Sequence, residues 1–320
     1  MNYLAGIVLL MAACLVQADD ARSWLDRMSH ALKELNYQGV LIYGDARRWE
    51  TMSFSHAVHD DTEYEKLIHL TGEPREVIRR GHAVSCTHPG DHVVRLSPSS
   101  SNPLAAEFAR QHGDIEGWYQ LALGPQERIA GRAAQVVRVI PKDNHRFGYD
   151  LWLDVDTALL LRSDLVRQDG VVLERLQFAD IDIGIALPRE HFSAQQQRHH
   201  MARHLKESAA APTQASVNWS PTWLPAGFMP SAGGDDHHPG HLSTVMYTDG
   251  MAAFSVFVDH QADVDVPSMR QQWGATSAVV RHVEHSGERY RITVVGEVPM
   301  ATAEKIAASM RGPWSVGDQP

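Results

Sequence analysis

From Tyr37 to Leu96 the hydrophobic pattern has a period close to two and is broken only by short turns, with no stretch of helical spacing between them. The runs are Tyr37 to Tyr43, Thr51 to His59, Glu63 to Leu70, Arg75 to Arg80, Ala83 to Thr87 and His92 to Leu96, punctuated by Gly44-Asp45, Asp60-Asp61, Gly72 with Pro74, Gly81 and Pro89-Gly90. Parallel strands need crossovers of a dozen residues or more, so strands this closely spaced must pair antiparallel. The pattern resumes after a Ser/Pro-rich loop, Ser97 to Pro103, and a short helix over Leu104 to Gln111. The later runs are Trp118 to Leu123, Glu127 to Ile129, Gln135 to Ile140, Tyr149 to Val155, Ala158 to Arg167 and Val171 to Ile183. One helix precedes them all: Trp24, Met28, Ala31 or Leu32, and Leu35 recur at helical spacing, which predicts an apolar stripe packed on the sheet.

So many antiparallel strands with one or two helices predict a large, strongly curved sheet wrapped on a helix, in effect a half-open barrel. Its concave face becomes a candidate lipid pocket. Tyr149, Leu151 and Leu153, with Leu176 and Phe178, alternate toward one face and are the side chains expected to line it, although a closed core gives the same pattern.

A second domain opens at Asn218 to Phe228, Asn-Trp-Ser-Pro-Thr-Trp-Leu-Pro-Ala-Gly-Phe. This segment is too apolar for water, whereas Ser193 to Ser216 before it is a polar run without alternation, so the boundary falls between them. Pro221 and Pro225 cannot donate to a ladder and hold their neighbours extended. The segment should therefore lie as an irregular strand over a core anchored by Trp219, Trp223, Leu224 and Phe228. Truncating Trp223 to alanine in such a core costs about 3–5 kcal/mol, unless the ring faces a partner instead. Leu242 to Tyr247, then Thr248-Asp249-Gly250 as the turn, then Ala252 to Val258 read as a hairpin. Ser277 to Val283 and Tyr290 to Gly296 add strands, and Thr302 to Met310 a closing helix, giving a small α+β domain. The organisation expected is a signal peptide over 1–18, a first domain over 19–193, a linker over 194–216 and a second domain over 217–320.

The leader rests on an apolar run from Leu4 to Val16, too short to span a bilayer, followed by small residues to Ala18 before Asp19-Asp20. Export to the periplasm with cleavage near Ala18 is expected; lipidation at Cys14 is the rival. Only Cys86 then remains, so no internal disulfide can form. A net charge of −10 opposes binding to nucleic acid through the general surface. No nucleophile elbow, phosphate loop, dinucleotide fingerprint or His-Glu-x-x-His is present, so no catalytic residue and no cofactor is assigned. The histidine clusters, His199, His200 and His204, and His237, His238 and His241 beside Asp235-Asp236, stand in polar sequence without ordering partners, so no metal site is assigned either.

Four stretches carry a resemblance. Leu70-Thr71-Gly72-Glu73-Pro74-Arg75-Glu76-Val77-Ile78-Arg79-Arg80-Gly81, then Trp219 to Phe228, then Tyr247-Thr248-Asp249-Gly250, then Ile292-Thr293-Val294-Val295-Gly296-Glu297-Val298-Pro299, occur in the order found in the RseB/MucB family of periplasmic sigma-E regulators. The resemblance implies a lipoprotein-carrier-like half-barrel followed by a smaller α+β domain. It also implies a regulator rather than an enzyme: a protein that binds the periplasmic region of a membrane-bound anti-sigma factor of the RseA/MucA type and shields it from regulated proteolysis. Release by lipopolysaccharide or by lipoprotein acyl chains is implied with it. A lipid carrier and, further off, a periplasmic hydrolase are the alternatives, and a homo-oligomer is allowed.

Overall fold

The computed structural model describes residues 20–81, 83–88, 92–96, 115–193, 219–231, 243–260 and 267–312. The leader with Cys14, the loop and helix expected over 97–111, the linker, both histidine clusters and the acidic loop before His241 lie outside the described residues. The chain divides into two compact units. The first is Met1–Gln111, Tyr119–Ile140 and Gly148–Arg203; the second takes His112–Trp118 and Pro141–Phe147 together with His204–Pro320.

In the first unit, helix α1 (20–34) buries Ala21, Leu25, Met28, Ala31 and Leu32 along one stripe. Its end is tied to the sheet: the Val58 amide donates to Asn36 Oδ1 at 3.0 Å and the Gly184 amide to the Asn36 carbonyl at 2.7 Å. Eleven strands follow: β1 (Tyr37–Asp45), β2 (Trp49–His59), β3 (Thr62–His69), β4 (Glu76–Arg80), β5 (Ala83–His88), β6 (His92–Leu96), β7 (Tyr119–Ile129), β8 (Arg132–Pro141), β9 (Gly148–Asp154), β10 (Leu160–Val166) and β11 (Val172–Ile183). They form one sheet in the order β6-β5-β4-β3-β2-β1-β11-β10-β9-β8-β7. Two meanders are thus joined where the first strand pairs with the last, from Tyr37↔Ile183 to Asp45↔Glu174. β6 and β7 do not pair with each other, so the barrel is not closed.

Sequence reading splits β7 in two at Glu127; the strand runs unbroken to Ile129 and turns at Ala130 and Gly131, both at positive φ (47° and 77°). Two consecutive left-handed residues twist a two-residue hairpin in the sense strands require. An alanine at the first of them hid the turn.

The second unit holds β12 (Ser220–Pro221), β13 (Met229–Pro230), β14 (Ser243–Thr248), β15 (Ala253–His260), β16 (Met269–Trp273), β17 (Thr276–His285), β18 (Glu288–Gly296), helix α2 (Met300–Ser309) and β19 (Met310–Arg311). Six strands form a sheet in the order β13-β14-β15-β18-β17-β16, and β12 pairs with β19. One face carries Val256, Val258, Val279, Ile292 and Val294, against Ala303, Ile306 and Ala307 of α2. Trp219 and Phe228 close this core, at 4% and 5% exposure, with Trp219 set 4.9 Å from Tyr290 and Phe228 5.2 Å from Phe254. The opening segment is irregular, as its prolines require, and it caps the end of α2: Thr222 donates to the Ser309 carbonyl from both its amide and its hydroxyl, and Ser309 Oγ donates to the Trp223 carbonyl at 3.1 Å. Trp223 and Leu224 are only partly buried, packed against the core from outside. The closing helix starts two residues earlier than its spacing indicates, after Pro299, and Met310 already belongs to β19.

Candidate functional site

Asp249, Gly250 and the Ala226-Gly227-Phe228 corner converge, within the second unit, on a residue that sequence reasoning passed over. Arg146 is 1% exposed. Its Nη1 donates to Asp249 Oδ2 at 2.5 Å, its Nη2 to the Ala226 carbonyl at 2.6 Å, and its Nε and Nη2 to the two oxygens of Asp143 at 3.1 and 3.0 Å. The guanidinium also lies 5.1 Å from the centre of the Phe228 ring and 5.8 Å from that of Trp118. A buried charge is tolerated only when paired and hydrogen-bonded on all sides. Here a planar fork meets a carboxylate on each side and a carbonyl between them, a geometry that lysine cannot supply.

The corner holding Asp249 is equally determined. Asp249 Oδ1 accepts from the amides of Met251 and Ala252 at 2.9 and 2.8 Å, so one carboxylate oxygen folds the β14–β15 turn while the other takes Arg146. Gly250 sits at φ 98°, and a Cβ there would lie 3.4 Å from Ile115. Gly227 has φ 89°, and a Cβ would overlap the Trp118 indole. Beside it His145 Nδ1 is 3.2 Å from Thr302 Oγ1, with its ring 5.1 Å from that of Trp223, and Lys305 Nζ stands 3.8 Å from the centre of that indole ring. Tyr247, 5% exposed, stacks on Phe254 at 5.2 Å. The motif positions are therefore brought together as core and corner, with both carboxylates hydrogen-bonded to one arginine. Such a site holds loops. Asp143 and Arg146 at i, i+3 between two alternating strands were the sequence signal available for it.

In the first unit the five expected pocket residues share one face. Alternation aligns Tyr149, Leu151 and Leu153 on β9; Leu151 pairs with Ser163, which pairs with Leu176; Phe178 follows two residues on, paired with Leu41. None exceeds 7% exposure. On β9 both faces are covered, because Trp152 on the opposite side is also buried. The Arg162 guanidinium covers its ring at 3.9 Å, and its Nε1 donates to Glu127 at 2.9 Å. Around it Asp164 accepts from Arg162 and Arg175. Burial alone would raise the Asp164 carboxyl, but these hydrogen bonds outweigh it and hold it below the usual carboxylate range.

One further cluster has the composition of a metal site: His56, Glu63 and Glu65 offer ligand atoms within 4.8 Å of one another. Arg79 occupies both carboxylates, donating to Glu65 at 2.7 Å and to Glu63 at 2.6 Å. His56 Nδ1 must carry its proton, since it donates to the Leu35 carbonyl at 2.7 Å. Burial pushes the imidazole pKa down, keeping it neutral, and drives the Tyr37 hydroxyl, whose ring stacks on it at 5.0 Å, well up. A guanidinium already stands where a cation would. The same arginine belongs to the Leu70–Gly81 motif, whose Gly72 and Gly81, at φ 77° and 53°, make the turns that flank β4.

Comparison with known proteins follows this division. Residues 20–196 match the MucB/RseB N-terminal domain and residues 213–311 the MucB/RseB C-terminal domain. Sigma factor AlgU regulatory protein MucB of Pseudomonas aeruginosa is 33% identical over 306 residues, 94% of each chain. Sigma-E factor regulatory protein RseB of Escherichia coli K12 is 28% identical over 303 residues, 90% of this chain and 89% of the other. A solved Pseudomonas aeruginosa MucA/MucB complex superposes with a TM-score of 0.74 at 31% identity, and MucB in complex with MucA(peri) with 0.72 at 30%; each covers 92% of this chain and all of the other. With both of its domains matched in order and nearly its whole length shared with MucB, the chain belongs to the MucB/RseB family of sigma-factor regulatory proteins.

Proposed function

We propose that this chain is a periplasmic regulator that binds the periplasmic region of a membrane-bound anti-sigma factor of the MucA/RseA type and shields it from regulated proteolysis. The observation that carries this reading is the similarity, across both domains and 92% of the chain, to MucB solved with MucA(peri). The leader over 1–18 directs export and is removed near Ala18; the working units are 19–193 and 217–320, joined by 194–216. Its activity is binding and not catalysis. Among the described residues, the buried acids Asp249, Glu65 and Asp164, and the half-buried Asp143, are each held by an arginine, an arrangement suited to stiffness rather than proton transfer.

The signal that ends protection is a lipid or lipoprotein acyl chain taken on the face that carries Tyr149, Leu151, Leu153, Leu176 and Phe178. These side chains are apolar and lie on one face of an unclosed sheet. A ligand can relieve protection only if it binds the protecting and released states unequally. The test is proteolysis of the partner's periplasmic segment in the presence of the intact mature chain, with and without an acylated probe. Protection that the probe relieves is the expected result. Partner cleaved at the same rate with and without the chain overturns the regulator reading, and protection indifferent to any acylated probe removes the lipid step alone.

A further inference from the structure

Residues 185–193, the last described in the first unit, cross one face of β2, β3 and β4. On that face Ser55, Lys66 and Ile78 pair directly across the three strands, and Ala57, Tyr64 and Arg80 form the next row. Leu187 and Phe192 are buried against Ala57, with Ile185 and Tyr64 beside them. Cations hold the backbone of the segment down. Lys66, 4% exposed, donates to the carbonyls of His191 at 3.2 Å and Ser193 at 3.0 Å, and Arg80 donates to the Phe192 carbonyl between them at 3.0 Å. Glu76 pairs with the Lys66 ammonium at 3.0 Å. Arg189 reaches Asp60 in an exposed pair that contributes little. Inside this clamp His191 Nε2 stands 2.9 Å from the hydroxyl of the buried Ser55.

We propose that residues 185–193 are a strap released by acid: with His191 neutral the strap lies on the sheet, and with His191 protonated it lifts off. The titratable and charged groups packed around the strap at His191 are Tyr64 and Lys66 from β3, Glu76 and Arg80 from β4, His59 from β2, and Arg189 and Glu190 on its own turn. Of the carboxylates, Glu76 is engaged by Lys66 and Glu190 is exposed to water, so a positive charge on His191 meets the ammonium without a counter-ion of its own. The Ser55 hydroxyl can turn to accept as well as to donate, and it does not oppose the proton. Burial opposes it, and after burial the Lys66 ammonium; together they push the imidazole pKa below its ordinary value. Off the sheet the ring regains the ordinary value of about 6.5, so the released strap binds a proton that the seated strap refuses. Release is therefore favoured as the pH falls, by at most about tenfold between about pH 7.5 and 5.5. The strap stands just before the stretch that joins the two matched domains, 20–196 and 213–311. Its release adds up to about 30 Å to the reach of that stretch. The proposal is independent of what the chain regulates.

The test is amide hydrogen exchange of the full mature chain at about pH 7.5 and 5.5, with each rate compared with the intrinsic rate at its own pH. The amides of His191 and Ser193 report the strap, since they donate within it to the Pro188 and Glu190 carbonyls at 3.0 and 3.1 Å. Their protection should fall several-fold at the lower pH, about tenfold at most. His191→Gln keeps a group able to bond with Ser55 and carries no titrating ring, so its protection should be the same at both pH values. Lys66→Met removes the clamp itself and should leave the strap poorly protected even at the higher pH. Protection that pH leaves unchanged in the unsubstituted chain, or that falls equally in His191→Gln, overturns the proposal. So does a folded Lys66→Met variant whose strap keeps full protection at the higher pH.

Discussion

Replacing Arg146 with methionine keeps the length and apolar stem of the side chain and removes the guanidinium. The hydrogen bonds described above go with it: two to Asp143, one to Asp249 and one to the Ala226 carbonyl. The acceptors suffer unequally. Asp143 is 31% exposed at its side chain and Ala226 is exposed, so water can replace the arginine at both. The Asp249 side chain is wholly buried; Oδ1 keeps the amides of Met251 and Ala252, while Oδ2 is left with a charge and without its guanidinium. Removing one partner of a buried pair costs about 3–5 kcal/mol. Because half of the carboxylate stays satisfied, the lower end, about 3 kcal/mol, is expected for Arg146→Met. Asp249→Asn retains an acceptor for the two amides but turns an NH₂ toward the guanidinium, and about 2 kcal/mol is expected. The double variant leaves neither a lone charge nor opposed donors, so its cost should fall short of the sum by about 1–2 kcal/mol. Urea unfolding of the full mature chain measures all three. Costs that simply add, or an Arg146→Met cost under about 1 kcal/mol, would refute the argument that the pair is dry and mutually dependent.

Two further expectations follow from burial. Trp219→Ala and Phe228→Ala should each cost about 3–5 kcal/mol, as core aromatics do, whereas Trp223→Ala, partly buried beneath Lys305, should cost only about 1–2 kcal/mol; equal losses on denaturant unfolding would place all three rings in one core. Burial, the largest cause, also lowers the pKa of His56, His69 and His191. Below about pH 6.5 the unfolded chain therefore takes up protons that the folded chain refuses, and stability should fall as pH drops through that value, whereas Asp154 and Asp164, held below their ordinary range, yield only below about pH 4. The urea midpoint at pH 5.5 should lie below that at pH 7.5, with a smaller difference in His56→Gln; a midpoint unchanged or higher at pH 5.5 contradicts the assignment.

The sequence by itself determined the antiparallel character of both sheets, because strands so closely spaced have no chain left for crossovers, and it determined the opening helix through its stripe from Met28 to Leu32. It also marked the motif stretches, whose glycines and prolines are local requirements: Gly227 and Gly250 need positive φ, and Pro221 needs an extended, non-donating position. The turn at Ala130-Gly131 escaped because nothing in an alanine announces a left-handed residue, and the burial of Trp152 was not legible because its cover, Arg162, comes from another strand. The pairing of β1 with β11, which makes one sheet of two meanders and leaves it open, is a contact between residues more than a hundred positions apart, and no period encodes it. Arg146 belongs to that second class. Its charge reads from sequence as solvated surface, and only the meeting of three loops, bringing Asp143, Asp249 and the Ala226 carbonyl around one guanidinium, makes burying it cheaper than leaving it in water.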